Sequence, residues 1–459
     1  MMFGRRSNLI ATLGLVGLVA AGCSSSPSST QTSSPGSSTP AASSAPAPSE
    51  PAGSTPAESP LPPASPVTLT VWDPGYSEEG GKTRLDAINA AFTAKYPTIN
   101  IKMEAPAYDT YFDKFRAATA AGSGPDVVSM YPSLFAADYA NGLEVIDDVV
   151  TPEVAKAVSL IDVSRAPDGK LYAIPFEAYT FQYFYNKKLF QQAGISGPPT
   201  TWEGLLDTCT KLRSAGIQPI SGGWKDGYMG DWFLYIYADM LLNDDELKQL
   251  VSAQLPFNSP KMVQAITYLQ DMNKAGCFAD GSDGRTLSDS EDYFSGGKAA
   301  MVLTNVSLGK LEQYRAALGN DVPDVFYPPM LPGSFQTGQM VDFGPNNGWA
   351  LTKWAQDRDA GILYLRFLLS KDAQQILGDN GSIPSNTEIV LQGKDPVEDK
   401  LLAGFALEGN RTTYMAMPAA VLAIAERQTP AYVSGELSAQ ELMDQLEAAM
   451  AKLRPKYTR

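Results

Sequence analysis

The sequence predicts an α/β chain folded as two lobes, each a mixed sheet flanked by helices, with the backbone crossing between them. Residues 67–459 number 393, more than one hydrophobic core accommodates and enough for two. That segment opens as strand, helix, strand, the unit from which open α/β sheets are built. The stretch at 168–195, DGKLYAIPFEAYTFQYFYNKKLFQQAGI, holds two strand-like runs with a break between them, which is the pattern of a chain leaving one sheet and entering another.

Ahead of the globular part, MMFGRRSNLIATLGLVGLVAAGC carries Arg5 and Arg6, an apolar run over residues 9–21 and a small residue before Cys23. This is the layout of an export signal over residues 1–22. Residues 19–23, VAAGC, resemble a bacterial lipobox with Ala20 where leucine is commoner, so Cys23 is the expected lipidation site; an ordinary cleavage site with a chance cysteine is the alternative. The paired arginines suggest a twin-arginine route, but Ser7 and Asn8 follow where a large apolar residue belongs, which favours general secretion. Residues 24–66 are almost all Ser, Pro, Ala, Thr and Gly and cannot bury enough apolar surface to offset chain entropy. With Cys23 they form a tether of residues 23–66, spanning about 36 Å as a coil and about 130 Å when extended with a polyproline bias.

The net charge of −15 becomes about −17 once the two signal arginines are gone, which makes nucleic acid and anionic membrane poor partners. There is no histidine, which excludes Ser-His-Asp and Cys-His nucleophile systems and histidine-ligated metals. No apolar segment of spanning length follows Cys23, so the remainder is expected to be soluble, held to a membrane by lipid alone.

VTLTVW at 67–72 alternates as a strand, and Leu85, Ile88, Phe92 and Tyr96 share a helical stripe that Pro97 ends. Ile99, Ile101 and Met103 alternate as the next strand. GYSEEGGKT between strand and helix invites a phosphate-loop reading, but its glycine spacing is wrong, and Glu78 and Glu79 would repel phosphate. PDVVSM is a buried strand whose carboxyl end delivers Met130, Tyr131 and Ser133 into a loop, and such ends line the ligand crevice of open α/β sheets. Pro175 removes a ladder donor, so the strand that contains it cannot be central. Phe181, Tyr183 and Tyr185 return with period two. Thr200 with Glu203, and Ser438 with Glu441, read as capping boxes, and Asn258-Ser259-Pro260 as a helix start. The acidic loop at 279–292 offers oxygen ligands at Asp280, Asp283, Asp289 and Asp292, but without EF-hand spacing it reads as a solvated loop.

DGKLYAIPF followed by YNKKLF, AGI and PPTTW, together with AAGSGPDVV, ANGLEVIDD, FSGGKAAMV and SGELSAQEL in that order, resembles the extracellular solute-binding proteins of carbohydrate ABC importers, family 1, over roughly residues 67–459. The resemblance implies a periplasmic-binding-protein-like fold with three hinge crossings: near 176, at VFYPPMLPG (325–333), and at GSIPS (381–385). On that basis lobe 1 is expected to be 67–176 plus 331–383, and lobe 2 to be 177–330 plus 384–459. It also implies a monomeric receptor without catalysis or cofactor, partnered by importer permease subunits. The maltose-binding branch has an aromatic, a glutamate and a tryptophan where this chain has Met130, Tyr179 and Ser307, so maltose is not implied.

A sugar cleft combines aromatic platforms with planar polar side chains. Loops at the predicted strand ends supply Asp73, Tyr76, Tyr131, Glu177, Tyr179, Asn305, Asn346 and Asn347, and the segment GGWKDGYMGDW supplies Trp224, Tyr228 and Trp232. For each aromatic the alternative is core packing, the expected place of Trp349. A receptor for a peptide, polyamine or phosphorylated solute would share the fold, and a glycoside hydrolase needs only two carboxylates. Cys209 and Cys277, both assigned to the second lobe, form either a disulfide or two separate buried thiols.

Overall fold

In the computed structural model, which describes residues 60–413 and 417–457, the chain opens with β1 (Val67–Trp72), where Leu69 and Val71 are fully buried. The export signal, Cys23 and most of the tether lie outside the described residues. Helix Glu79–Lys95 sets its predicted stripe of Leu85, Ile88 and Phe92 into the core, and β2 (Ile99–Glu104) returns parallel to β1. The phosphate-loop segment is instead a 3-10 turn, Pro74–Ser77, running into that helix. A Cβ on Gly81 would lie 2.1 Å from the Gly75 oxygen, so the glycine serves a close backbone approach.

β3 (Val127–Ser129) lies parallel on the other side of β1. The sheet is finished by β4 (Ile174–Pro175), at the edge where a proline can sit. β5 (Ala178–Asn186) begins three residues after Pro175 and is central in the second sheet, with its predicted aromatics buried. Around it lie β6 (Gln218–Ile220), β7 (Ala299–Asn305), β8 (Pro323–Phe326) and β9 (Phe343–Pro345). β10 (Gly348–Leu351) then pairs antiparallel with β3 and β4. The sheet orders are β2-β1-β3-β10-β4 and β6-β7-β5-β8, with β9 also on β5.

The first crossing falls at 176–177, between β4 and β5. The second is displaced from 325–333, where the sequence placed it: β8 and β9 both pair with β5, and the chain reaches the first sheet only at 346–347. β8 covers β5 only from Tyr183 to Asn186, and β9 supplies the partners that Ala178, Tyr179 and Thr180 require. Residues 331–342 therefore stay with the second sheet, where Phe335 N–H donates to Met240 O at 2.8 Å, rather than belonging to lobe 1. At the third passage Ala178 N–H donates to Ile383 O at 2.9 Å, and Ser385 Oγ donates to Pro175 O at 2.9 Å.

In the second lobe Thr201, not Thr200, caps helix Trp202–Ser214, its Oγ accepting from Gly204 N–H at 3.1 Å, because the predicted box was one residue out of register. Cys209 on that helix is bonded to Cys277, with Cα atoms 4.9 Å apart. Pro260 starts helix Pro260–Lys274, and Ser438 with Glu441 starts helix Ala439–Tyr457. In the acidic loop Asp280 pairs with Arg213 at 2.8 Å, and Asp289 completes a capping box with Thr286, the N-cap of helix Leu287–Ser295, by accepting from its backbone N–H at 3.0 Å. Among the described residues no cluster of three or more acids or cysteines is placed to hold a metal ion.

Candidate ligand-binding cleft

The first-lobe wall is built from the loops that follow the carboxyl ends of β1, β2 and β3. After β1, Asp73 caps the turn by accepting from Gly75 N–H at 3.0 Å. Burial raises its carboxyl to about 6, against the pull of the Gly75 amide and Arg84. After β2 come Tyr108 and the helix Tyr111–Ala121, whose Tyr111 Oη donates to Ser129 O at 2.7 Å and fixes the loop after β3. That loop carries Tyr131, edge-on to Phe135 at 5.2 Å. The second-lobe wall is the start of helix Tyr228–Leu241.

The walls meet. Pro74, Tyr108, Tyr131 and Asn347 enclose with Tyr228 a cavity of about 30 Å³, room for one water and no sugar. The lobes are closed over it. Asp138 of the first lobe accepts from Ala420 N–H and from Tyr457 Oη, each at 3.2 Å, across the same interface.

Of the residues the sequence singled out, Tyr131, Tyr228 and Asn347 come together here, with Asp73 beside them. Trp232 is buried behind them, tilted against Phe181 with ring centroids 4.7 Å apart, and its indole N–H has no hydrogen-bond partner among the described residues. Others are placed elsewhere, each for a visible reason. Tyr76 donates its hydroxyl to Asp86 at 2.7 Å on the outer face of the first helix, with the Lys82 ammonium over its ring. Glu177 and Asn346 are hinge residues, the Glu177 carboxylate lying 2.9 Å from Arg84 and 3.4 Å from Asn346 Nδ2. Tyr179 is buried with its hydroxyl on Asp342. Trp224 is fully buried, edge-on to Phe278 at 4.7 Å. Asn305 accepts from Lys310 Nζ at 3.0 Å, and that lysine also pairs with Glu291. Trp349 is in the core, edge-on to Phe176.

The sequence reading missed Tyr108, Asp231 and Glu426. Tyr108 stands in a loop after a strand end, the same signal that picked out Tyr131. Asp231 and Glu426 carried no signal. Burial drives the Asp231 carboxyl well above the usual range, and raises Glu426 to about 8 with help from Asp226. Tyr131 is raised to about 12, by burial first and then by Glu426, Asp231 and Asp73.

Residues 87–404 match the bacterial extracellular solute-binding protein family. The chain belongs to that family. Its members bind solutes and are not enzymes, and the family is an exported one. Among its relatives, a Brucella abortus chain named only as a "putative binding protein" is 24% identical over 331 residues, 71% of this chain and 77% of that one. The sn-glycerol-3-phosphate-binding periplasmic protein of Salmonella typhimurium is 32% identical over 152 residues, 32% of this chain and about a third (34%) of that relative. Among solved structures, a chitin oligosaccharide binding protein superposes with TM-score 0.73 at 19% identity, covering 85% of this chain and 99% of that one. The GacH receptor of Streptomyces glaucescens, studied unliganded and with acarbose, gives 0.67 at 22%, covering 84% and 98%. At these identities the solved structures establish the two-lobed fold of this solute-binding protein and nothing finer.

Proposed function

We propose that this solute-binding protein is the carbohydrate receptor of an ABC importer, a monomer exported and held by lipid on Cys23 at the outer face of the cytoplasmic membrane. One observation carries the carbohydrate reading: tyrosines from both lobes, Tyr108 and Tyr131 on one side and Tyr228 on the other, face the same cleft beside Asp73 and Asn347. Flat rings with hydroxyl, amide and carboxyl groups between them suit the apolar faces and polar rim of a pyranose. Because both walls would touch the ligand, a bound sugar favours the closed arrangement, and that differential affinity is what shifts a hinge.

The Salmonella relative, an sn-glycerol-3-phosphate-binding protein, favours a phosphorylated solute as a second reading. The cleft argues against it, since Arg84, the guanidinium beside Asp73, is engaged with Glu177 and Ser382. The test is a thermal-shift screen of purified protein against mono- and oligosaccharides, peptides, polyamines and sn-glycerol 3-phosphate, followed by calorimetry on each hit. Saccharide binding with release of sugar unchanged supports the proposal. Tight binding of a peptide or of the phosphate ester, with no saccharide bound, sinks it. For the anchor, Cys23→Ser should leave the protein exported but lost from washed membranes.

A further inference from the structure

Behind Tyr228, the second-lobe side of the cleft holds acids that have no basic partner among the described residues. Asp231, in the first turn of helix Tyr228–Leu241, is 1% exposed, and among the described residues its carboxyl oxygens have no well-aligned hydrogen-bond partner, only the weak pull of the Asp231 and Trp232 amides of its own turn. A buried polar group left so costs about 1–3 kcal/mol, and evolution of a core would ordinarily remove it. Facing it is Glu426, from helix Ala419–Ser434. The two helices approach closely because Gly227, at φ +79, stands between them, where a Cβ would lie 2.2 Å from the Glu426 carbonyl oxygen. Asp226 adjoins both; its Oδ2 accepts from Leu287 N–H at 2.9 Å, while its Oδ1 has no well-aligned partner among the described residues.

The groups that face Asp231 and Glu426 are carboxyls and phenols throughout: Asp226, Tyr131, Tyr228 and Tyr235. Among the described residues no lysine or arginine pairs with any of the three acids. Tyr131 is felt by Glu426, Asp231 and Asp73 together, so this ring of the cleft sits among carboxyls from both lobes.

Resting on the reading of the cleft as a saccharide site, we propose that Asp231 and Glu426 form a subsite for a cationic nitrogen, and that the solute is a saccharide bearing a free amine. A neutral hydroxyl can donate to one carboxylate but does nothing to let neighbouring buried carboxyls ionise together. An ammonium supplies three donors and a positive charge, and the tyrosine faces beside it attract a cation further. In the empty protein burial raises both carboxyls, and Glu426, raised to about 8, holds its proton at neutral pH. Arrival of R–NH3+ then displaces a carboxyl proton to solvent, leaving an ammonium–carboxylate pair with charge conserved.

The experiment is titration calorimetry on the intact exported protein with glucosamine oligosaccharides of two to four units, against their N-acetylated counterparts of equal length. It is run at neutral pH in two buffers of different protonation enthalpy, with spermidine as a cation that is not a sugar. Amine-bearing oligosaccharides should bind at least about tenfold tighter, the scale of one charge-assisted hydrogen bond, and release about one proton. Asp231→Asn and, independently, Glu426→Gln should shrink that preference to about threefold or less. Should one variant not fold, the other and the proton release in the unaltered protein still decide. Equal or tighter binding of the N-acetylated series, without proton release, overturns the cation subsite and leaves the saccharide receptor standing. Binding of spermidine alone overturns the saccharide part while the acids still hold a cation.

Discussion

Arg84 Nη1 lies 2.9 Å from Glu177 Oε1 and 2.7 Å from Ser382 Oγ, so one side chain of the first helix holds the first and third crossings at once. The second crossing joins through Asn346, whose backbone N–H donates to Glu177 O at 2.8 Å and whose Nδ2 reaches Glu177 Oε2 at 3.4 Å. A pair that the sequence offered in part as ligand contacts is thereby the fastening of the hinge. Its side chains are only 19% and 9% exposed, so the pair is little screened by solvent.

Arg84→Met should therefore leave a nearly buried carboxylate facing Asp73 without its counter-charge. Removing one partner of such a pair costs on the order of 3 kcal/mol. Urea unfolding will measure it, and hydrogen exchange should quicken at residues 177, 346 and 382 more than in β1. Uniform exchange across the chain would mean that the pair stabilises a lobe and not the hinge.

The Cys209–Cys277 bond closes a 68-residue separation between helix Trp202–Ser214 and a residue three positions beyond the end of helix Pro260–Lys274. Chain entropy for a loop of that length gives about 4 kcal/mol. Cys209→Ala with Cys277→Ala should lower the unfolding midpoint accordingly, and reductant should do the same to the unaltered protein. Two free thiols in unfolded, unreduced protein would contradict the bond.

Local periodicity carried most of the fold: the stripe Leu85, Ile88, Phe92 and the edge position of Pro175 each follow from neighbours a few residues away. The second crossing did not, because Pro328, Pro329 and Pro332 interrupt a strand without directing the chain, and only the unpaired front of β5 shows where it goes. The cleft was legible where a strand end aimed a tyrosine into it, as at Tyr131. It was illegible where the deciding neighbour is remote: Trp224 is core because Phe278 packs on it, and Asp231 stands in an acidic cluster behind Tyr228 because Glu426, almost two hundred residues on, comes near it.

The raised carboxyls make stability fall with pH. Asp73 at about 6 and Glu426 at about 8 hold protons in the folded state that the unfolded chain, with carboxyls near 4, has released. Between those values the folded state binds more protons, so its stability is greatest near pH 4 to 5 and declines as pH rises through 6 and then 8. Burial pushes Asp239 and Asp342 the same way. The lowered carboxyls, such as Asp86 and Glu104, act in the opposite sense only below their unfolded values near 4. Urea melts at pH 5.5 and pH 8 and constant salt should differ by on the order of 3 kcal/mol, the acidic sample being the more stable. A more stable sample at pH 8 would mean that these acids are ionised and paired.

Tyr228 and Trp224 are four residues apart and should respond oppositely to truncation. Tyr228 is 40% exposed at the mouth of the cleft and lines the same cavity as Tyr131, so Tyr228→Ala removes a proposed ligand face and little packing. Affinity for the solute should fall by about 1 to 3 kcal/mol, with the unfolding midpoint of the empty protein nearly unchanged. Trp224 is sealed against Phe233 and Phe278, and Trp224→Ala empties that space at a cost of about 3 to 5 kcal/mol. Its surviving folded fraction should bind the solute with affinity close to that of the unaltered protein. Calorimetry and thermal unfolding on both variants settle the assignment, because a Tyr228→Ala protein that binds normally but melts early would place the tyrosine in the core and take away one wall of the cleft.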